Sequence, residues 1–341
     1  MKRMIAKLII LVFATLCCQY ILTHFLLQID DSRLNRYFFR FNEYTRLIHY
    51  LKKKIDIIYL GDSTTYFVDA HDTDKRKIGQ MIRCLAPGYS LAQIAHPAYQ
   101  ADIYLEFCRY IARQPYHPAM IIIPINMRSF SPVWDKQGDS QFEIEKIVLR
   151  GGFAKQVLLA IYKPLKILNT NFHAISPKEF SNTPVFNGTV QVGRVKDFNN
   201  PGFRKHSDDN MKKKILLYYM FSLSPHHRKV KSLVAIAKTL ASKKIKCIFY
   251  LTPIDVNTGE KYFPGGFSRR LAENAALLQS LLAAEGFELL DISAALPSST
   301  FFWYPYPNEH LRQTGRKYVA EKISQRILAL SRIQNRSIAV Q

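Results

Sequence analysis

Short apolar runs separated by longer segments of helical spacing set the architecture open to this chain. Residues 55–60, 90–95, 120–125, 245–251 and 287–290 are apolar with at most a polar residue or two each. They show no sustained alternation, which is the pattern of strands buried on both faces. Residues 101–113, 229–242, 269–284 and 311–330 instead repeat their apolar members at helical spacing. Strand and helix in alternation predict a parallel sheet sandwiched by helices, with a site formed by the loops at the carboxyl ends of the strands. Residues 130–225 interrupt the rhythm. They predict a helix around 142–168 and then polar sequence in which Asn187-Gly188, ahead of Thr189-Val190-Gln191-Val192, suits a hairpin turn. This stretch reads as an insertion or cap; a separate domain is the alternative, although no Gly/Ser-rich linker marks its boundary.

The amino terminus has a different character. Lys2, Arg3 and Lys7 precede residues 8–28, which contain no Asp, Glu, Lys or Arg and only a few polar members such as Gln19, Thr23 and His24. At roughly 1.5 Å per residue a helix over this stretch spans a hydrocarbon core of roughly 30 Å. Leu26-Leu27-Gln28-Ile29-Asp30 offers no small-x-small cleavage site, so the expectation is an uncleaved signal anchor, with a cleaved secretory signal as the alternative. A lipoprotein reading through Cys17 meets Leu16 where a small residue is needed. The cations before the span, with Asp30 and Asp31 after it, place the N-terminus inside and the rest of the chain outside. The expected organisation is a cytoplasmic tip and transmembrane signal anchor over 1–30, then a juxtamembrane segment over 31–54. A single domain over 55–335 follows, with its insertion at about 130–225. The basic, aromatic juxtamembrane segment suits a surface of anionic head groups and equally suits a first packed helix.

Composition narrows the partners. With 48 Lys and Arg against 26 Asp and Glu, the net charge of +22 attracts anions: nucleic acid, anionic lipid or acidic polymers. An exported domain removes nucleic acid from that set. Five cysteines, two of them inside the apolar span, leave an odd number without C-x-x-C spacing, so neither zinc nor a disulfide framework is expected. Cys247 reads as a buried strand residue, and a Cys84–Cys108 bridge remains open. The chain has no G-x-S-x-G, H-E-x-x-H, P-loop or G-x-G-x-x-G. That disfavours α/β-hydrolase, zincin and nucleotide-binding readings.

Three loops carry residues able to do chemistry. The first strand runs into Gly61-Asp62-Ser63-Thr64-Thr65, where glycine permits a tight turn and Ser63 is presented at the sheet rim. A helix beginning there aims its first free N–H groups at that rim; Asp62, Ser63 or Thr64 as a plain helix N-cap is the bland alternative. Near the other end, Tyr306-Pro307-Asn308-Glu309-His310-Leu311 puts a histidine at the mouth of the last helix, where a neutral imidazole accepts and returns a serine proton. A polar residue in the helix N-terminal turn is its bland alternative. Asn126, at the end of the 120–125 strand, is a second oxyanion donor or an ordinary turn residue. Arg128 pairs with an anionic substrate or with a nearby carboxylate.

In the order Gly-Asp-Ser, Asn, His-Leu-x-x-x-Gly, these pieces resemble the SGNH (GDSL-type) hydrolases, and more narrowly their membrane-anchored bacterial branch of DltD-like and AlgJ/AlgX-like envelope acylation proteins. The resemblance covers residues 55–130 and 240–330. It implies a flavodoxin-like three-layer α/β/α sandwich behind one N-terminal transmembrane helix, and esterase or O-acyltransferase chemistry without metal or cofactor. It implies Ser63 as nucleophile, His310 as base, and an oxyanion hole from Ser63, Asn126 and Ala98. Two positions depart from the family. Pro307 stands where an Asp three residues before the histidine is usual, leaving Asp62, Asn308, Glu309, Asp291 or a backbone carbonyl to orient His310. Ala95-His96-Pro97-Ala98-Tyr99 replaces the oxyanion glycine after the second strand; Ala98 can still donate its amide, while Pro97 cannot. His96 reads as a loop residue.

The resulting expectation is an enzyme of the bacterial inner membrane with its main domain periplasmic or extracellular. It passes an acyl group through Ser63 to an envelope saccharide or to water. Its expected partners are the lipid surface, an anionic or neutral envelope polysaccharide and a membrane-bound O-acyltransferase. The competing expectation is a non-catalytic scaffold or polysaccharide-binding module of the same fold, for which Pro307 is the argument.

Overall fold

The computed structural model describes residues 2–26, 42–132, 134, 141–151, 208–302 and 308–339. The chain divides into two compact units, one of Met1–Lys53 with Phe142–Asn171 and the other of Lys54–Gln141 with Phe172–Gln341. The first unit contains helices α1 (Lys2–Leu26), α2 (Asn42–Lys52) and α6 (Glu143–Arg150). In α2 the residues Tyr44, Leu47, Ile48 and Leu51 are buried, the i, i+3, i+4, i+7 stripe of an amphipathic helix. Along α1, Leu8 to Phe13 and Leu16 are exposed. Among the described residues no helix is long and apolar enough to cross a membrane. Three cations occupy the first turns of α1, and the apolar stretch expected over 8–28 runs past its last described residue, Leu26. The fold therefore lends the expected transmembrane helix no support.

The second unit is built on five parallel strands: β1 (Ile57–Gly61), β2 (Leu91–Ala95), β3 (Met120–Ile125), β4 (Lys246–Leu251) and β5 (Leu289–Asp291). Their order is β2-β1-β3-β4-β5. It is a doubly wound arrangement in which the direction of strand addition reverses between β1 and β3. Each strand lies within two residues of the apolar run that predicted it. One sheet face, through Ile57, Tyr59, Ile122, Ile248 and Tyr250, packs on α4 (Ile78–Leu85) and α11 (Gln313–Ala339). The opposite side carries α5 (Ala101–Ala112), α8 (Arg228–Ser242) and α10 (Gly266–Ala283), with α8 packed against both of the others. The strands are thus covered on both faces, which is why their sequences are continuously apolar. Tyr59 and Tyr250 bury their hydroxyls in this core and bond them to each other at 2.5 Å, so neither is left unsatisfied.

Among the described residues the unit also contains α7 (Asp208–Tyr219), α9 (Val256–Tyr262) and α3 (Ser63–Tyr66). Of the predicted 142–168 helix, the described part is α6, which stops at Gly151, where φ is +68°. Residues 152–168 and the hairpin expected at 187–192 lie outside the described residues. The cysteines are free: Cys108 and Cys247 are buried, and Cys84 is exposed, so the Cys84–Cys108 bridge is not formed.

Candidate active site

Because the strands are parallel, the segments leaving β1, β2 and β3 emerge on one rim, and they carry Ser63, Ala98 and Asn126. Gly61 makes the first turn possible: a Cβ there would meet Thr65 Oγ1 at 2.2 Å, so only glycine lets Thr65 fold back against the strand end. Thr65 Oγ1 then donates to the Asp62 carbonyl at 2.8 Å. Asp62 takes the N-cap role, accepting from Thr64 N at 2.9 Å and Thr64 Oγ1 at 2.6 Å. Ser63 is therefore the first helical residue, half-buried at the rim and relieved of any capping duty. The helix has four residues, so its dipole is small and the local donors matter more than the expected macrodipole.

His310 arrives from the far end of the chain. Its Nε2 lies 3.1 Å from Ser63 Oγ. It stands ahead of the last helix rather than in its first turn, the bland alternative: α11 begins three residues later, at Gln313. His310 sits instead on an extended segment, where its carbonyl accepts from Phe302 N at 2.9 Å and Leu311 bridges Phe301 antiparallel. Gly315 allows this approach, since a Cβ would stand 3.0 Å from the Leu311 side chain and 3.2 Å from the Thr300 carbonyl. The imidazole is 5% exposed. Burial, with Arg128 adding to it, lowers its pKa from 6.5 to about 3, so the ring is neutral at physiological pH. In the tautomer protonated at Nδ1, Nε2 accepts the serine hydroxyl.

The groups proposed to orient His310 have other engagements. Asn308 Oδ1 accepts from the His310 backbone N–H at 3.0 Å and so holds the segment. Glu309, fully buried, accepts from Tyr219 Oη at 2.7 Å and pairs with Arg128 at 3.0 Å. Burial raises the Glu309 pKa, opposed by Arg128 and Tyr219. Asp291 is exposed and accepts from Ser293 N and Oγ at 2.9 and 2.6 Å. Asp62 faces Thr64 and also accepts from Asn126 Nδ2 at 3.3 Å; burial raises its pKa against the pull of Thr64, Arg128 and Asn126. Pro307 lies outside the described residues.

Comparison with protein-family models and with curated proteins finds no match for this chain.

The oxyanion donors expected from sequence are partly rearranged. One Asn126 amide hydrogen is engaged by Asp62, and Asn126 Oδ1 caps the following 3-10 turn, Met127–Phe130, through Arg128 N at 3.0 Å. Ala98 has φ +65° and follows Pro97, with Tyr99 N donating to the His96 carbonyl at 3.3 Å. Proline at the second position and positive φ at the third make a type II turn, where glycine is usual. Ala98 thus adopts a left-handed conformation that glycine takes at no steric cost, and no described group accepts from its amide. The same holds for the amide of Ser63. His96 bonds through Nδ1 to the Pro97 carbonyl at 2.8 Å and packs on Tyr99, as a loop residue. Among the described residues no three His, Cys, Asp or Glu side chains gather as metal ligands would. The sequence reading missed Tyr219 and Phe302, which reach the site through long-range packing, and Phe67, at the C-cap of α3 four residues after Ser63; none belongs to a local motif.

Proposed function

We propose that the chain is an SGNH-type serine esterase or O-acyltransferase with the flavodoxin-like sandwich of that family. The contact of Ser63 Oγ with His310 Nε2 at 3.1 Å, across 247 positions of sequence, carries this reading. A hydroxyl paired with a neutral base beside two amides that have no acceptor among the described residues is what acyl transfer needs.

Ser63 Oγ attacks the ester carbon as its proton passes to Nε2, and the Ser63 and Ala98 amides hold the developing oxyanion. The carbon–oxygen bond to the alcohol then breaks, and His310 returns the proton to the leaving oxygen. A water or second alcohol attacks the acyl-Ser63 ester, loses its proton to Nε2, and Ser63 Oγ recovers it. Asn308, through the His310 backbone, and Arg128 with Glu309, beside the ring, take the positioning role of the usual acid.

The same reading holds the chain at the bacterial inner membrane by the exposed apolar side chains of α1, with the sheet unit on the extracytoplasmic side. Its substrate is then an envelope saccharide or polymer, drawn by the +22 charge. A membrane-bound O-acyltransferase is the partner that would supply the acyl group. The second reading, a non-catalytic module of the same fold, has one observation in its favour: the carboxylates expected to orient His310 are committed to Tyr219, Arg128, Thr64 and Ser293.

The test is fluorophosphonate labelling and p-nitrophenyl acetate turnover by the full-length chain in detergent. Both should vanish in Ser63→Ala. In His310→Gln turnover should fall by about 10³-fold or more. A folded wild type that neither labels nor turns over would leave the non-catalytic module standing.

A further inference from the structure

Each residue of the dyad is joined to a phenylalanine. Phe67 N donates to the Ser63 carbonyl, and Phe302 N donates to the His310 carbonyl, both at 2.9 Å. The two rings then meet, with centroids 4.9 Å apart, and Phe67 stands edge-on to the His310 imidazole at 5.1 Å. Both phenylalanines are half-buried, so part of this aromatic surface, in contact with the His310 ring, is exposed.

The chemistry decides which half of an ester lies there. Nε2 must return its proton to the leaving oxygen, so the alcohol half stands within hydrogen-bond reach of His310. The Ala98 amide, on the β2 side of Ser63, draws the carbonyl oxygen the other way. The surface flanking the imidazole therefore touches the alcohol, whether it is leaving or arriving as acceptor. That surface includes Phe67 and Phe302, apolar and uncharged, whose rings are tilted 49° to each other and offer a face and an edge to a ring partner.

Resting on the serine-hydrolase reading above, we infer that Phe67 and Phe302 form the binding shelf for the alcohol half of the ester, and that this half carries a ring presenting an apolar face. The acyl half is not held by this shelf.

The test crosses alcohol with acyl length, using benzyl acetate, methyl acetate, benzyl hexanoate and methyl hexanoate on the full-length chain in detergent. The wild type is compared with Phe67→Leu, Phe67→Ala and Phe302→Ala. Because the ratio of benzyl to methyl ester is taken on one preparation, any loss of folded protein cancels. In the alanine variants kcat/KM should fall about five- to tenfold further for the benzyl esters than for the methyl esters, equally for acetate and hexanoate. Phe67→Leu should lie between. A uniform loss across the four esters would make the pair a packing support for His310 and overturn the shelf. A loss that follows acyl length would assign the surface to the acyl half and overturn it equally. A wild type without turnover or fluorophosphonate labelling fails at the dyad itself, and the shelf falls with it; labelling with an indifferent benzyl-to-methyl ratio fails the shelf alone.

Discussion

His310 keeps 5% of its surface exposed, and His227, at the N-cap of α8, keeps none. Both rings have pKa values lowered to about 3, chiefly by burial, with Arg128 adding to it for His310 and Lys229 for His227. Above pH 6.5 each ring is neutral in the folded and the unfolded chain alike. Between 6.5 and about 3 only the unfolded chain takes the proton, so stability falls as pH drops through that window. From pH 7 to pH 5 the loss is about 2 kcal/mol per ring. Asp62 and Glu309, with pKa values raised by burial, act in the opposite sense, since the folded chain takes their protons at a higher pH than the unfolded one. Urea midpoints at pH 7 and pH 5 should show His227→Gln and His310→Gln each flattening the drop by that amount. A base already neutral at pH 5 also predicts kcat/KM that holds between pH 7 and pH 5, where an ordinary histidine would lose most of its activity. Ala98 offers a second residue-scale prediction. Its left-handed backbone costs roughly 1 kcal/mol that glycine does not incur. Ala98→Gly should therefore raise the melting temperature with activity retained, because the donor is main chain; Ala98→Pro should remove the donor and most of the turnover.

At the scale of elements, the turn from β1 into α3 depends on Gly61. Gly61→Ala drives a methyl group against Thr65, whose hydroxyl bonds the Asp62 carbonyl and also accepts from Gln93 Nε2 at 2.8 Å on the neighbouring strand. The expected cost is about 1–3 kcal/mol in thermal unfolding. Fluorophosphonate labelling should slow as well, because Ser63 is displaced from His310. Equal labelling rates in the two proteins would show that the turn absorbs the methyl without moving the nucleophile. The strands and most flanking helices were legible in sequence because a buried parallel strand must be apolar throughout and an amphipathic helix must repeat its apolar residues near 3.6. α4 escaped notice although Ile78, Met81 and Ile82 face the core, since its eight residues give barely two turns of pattern. The start of α11 was misplaced because Leu311 is apolar for a strand-like bridge to Phe301, a partner that no local pattern reveals.

Across the whole second unit, the loop after Ser63 is clasped to the segment that carries His310. Arg316, fully buried in α11, donates to Asp72 Oδ2 at 2.5 Å and to the carbonyls of Leu311 at 3.2 Å, Arg76 at 3.1 Å and Asp74. Gln313 Oε1 accepts from Thr73 Oγ1 and Asp74 N, both at 2.8 Å. A buried guanidinium is tolerable only with its donors matched in this way, and removing it leaves Asp72 charged and unpaired. Arg316→Met should cost about 3–5 kcal/mol in urea unfolding. Asp72→Asn, which keeps an acceptor for the guanidinium, should cost less. If Arg316→Met unfolds like the wild type, the clasp contributes nothing net.

The amino-acid order alone settled the alternation of strands and helices, the parallel sheet, and the rim on which Ser63, Asn126 and the turn before Tyr99 emerge, because burial on two faces and periodicity are local properties of sequence. It also singled out Ser63 and His310 as the pair to test. It left open which of Asp62, Ser63 and Thr64 caps the helix and where Glu309 and Asp291 point. Nor could it say that Ala98 adopts a left-handed conformation, or that Phe67 and Phe302 meet beside His310. The place of Glu309 and the meeting of the two rings depend on contacts between residues distant in the chain, as does the Ser63–His310 contact across 247 positions. Desolvation by surrounding side chains then sets the charge of His310, and only the assembled fold brings those side chains together.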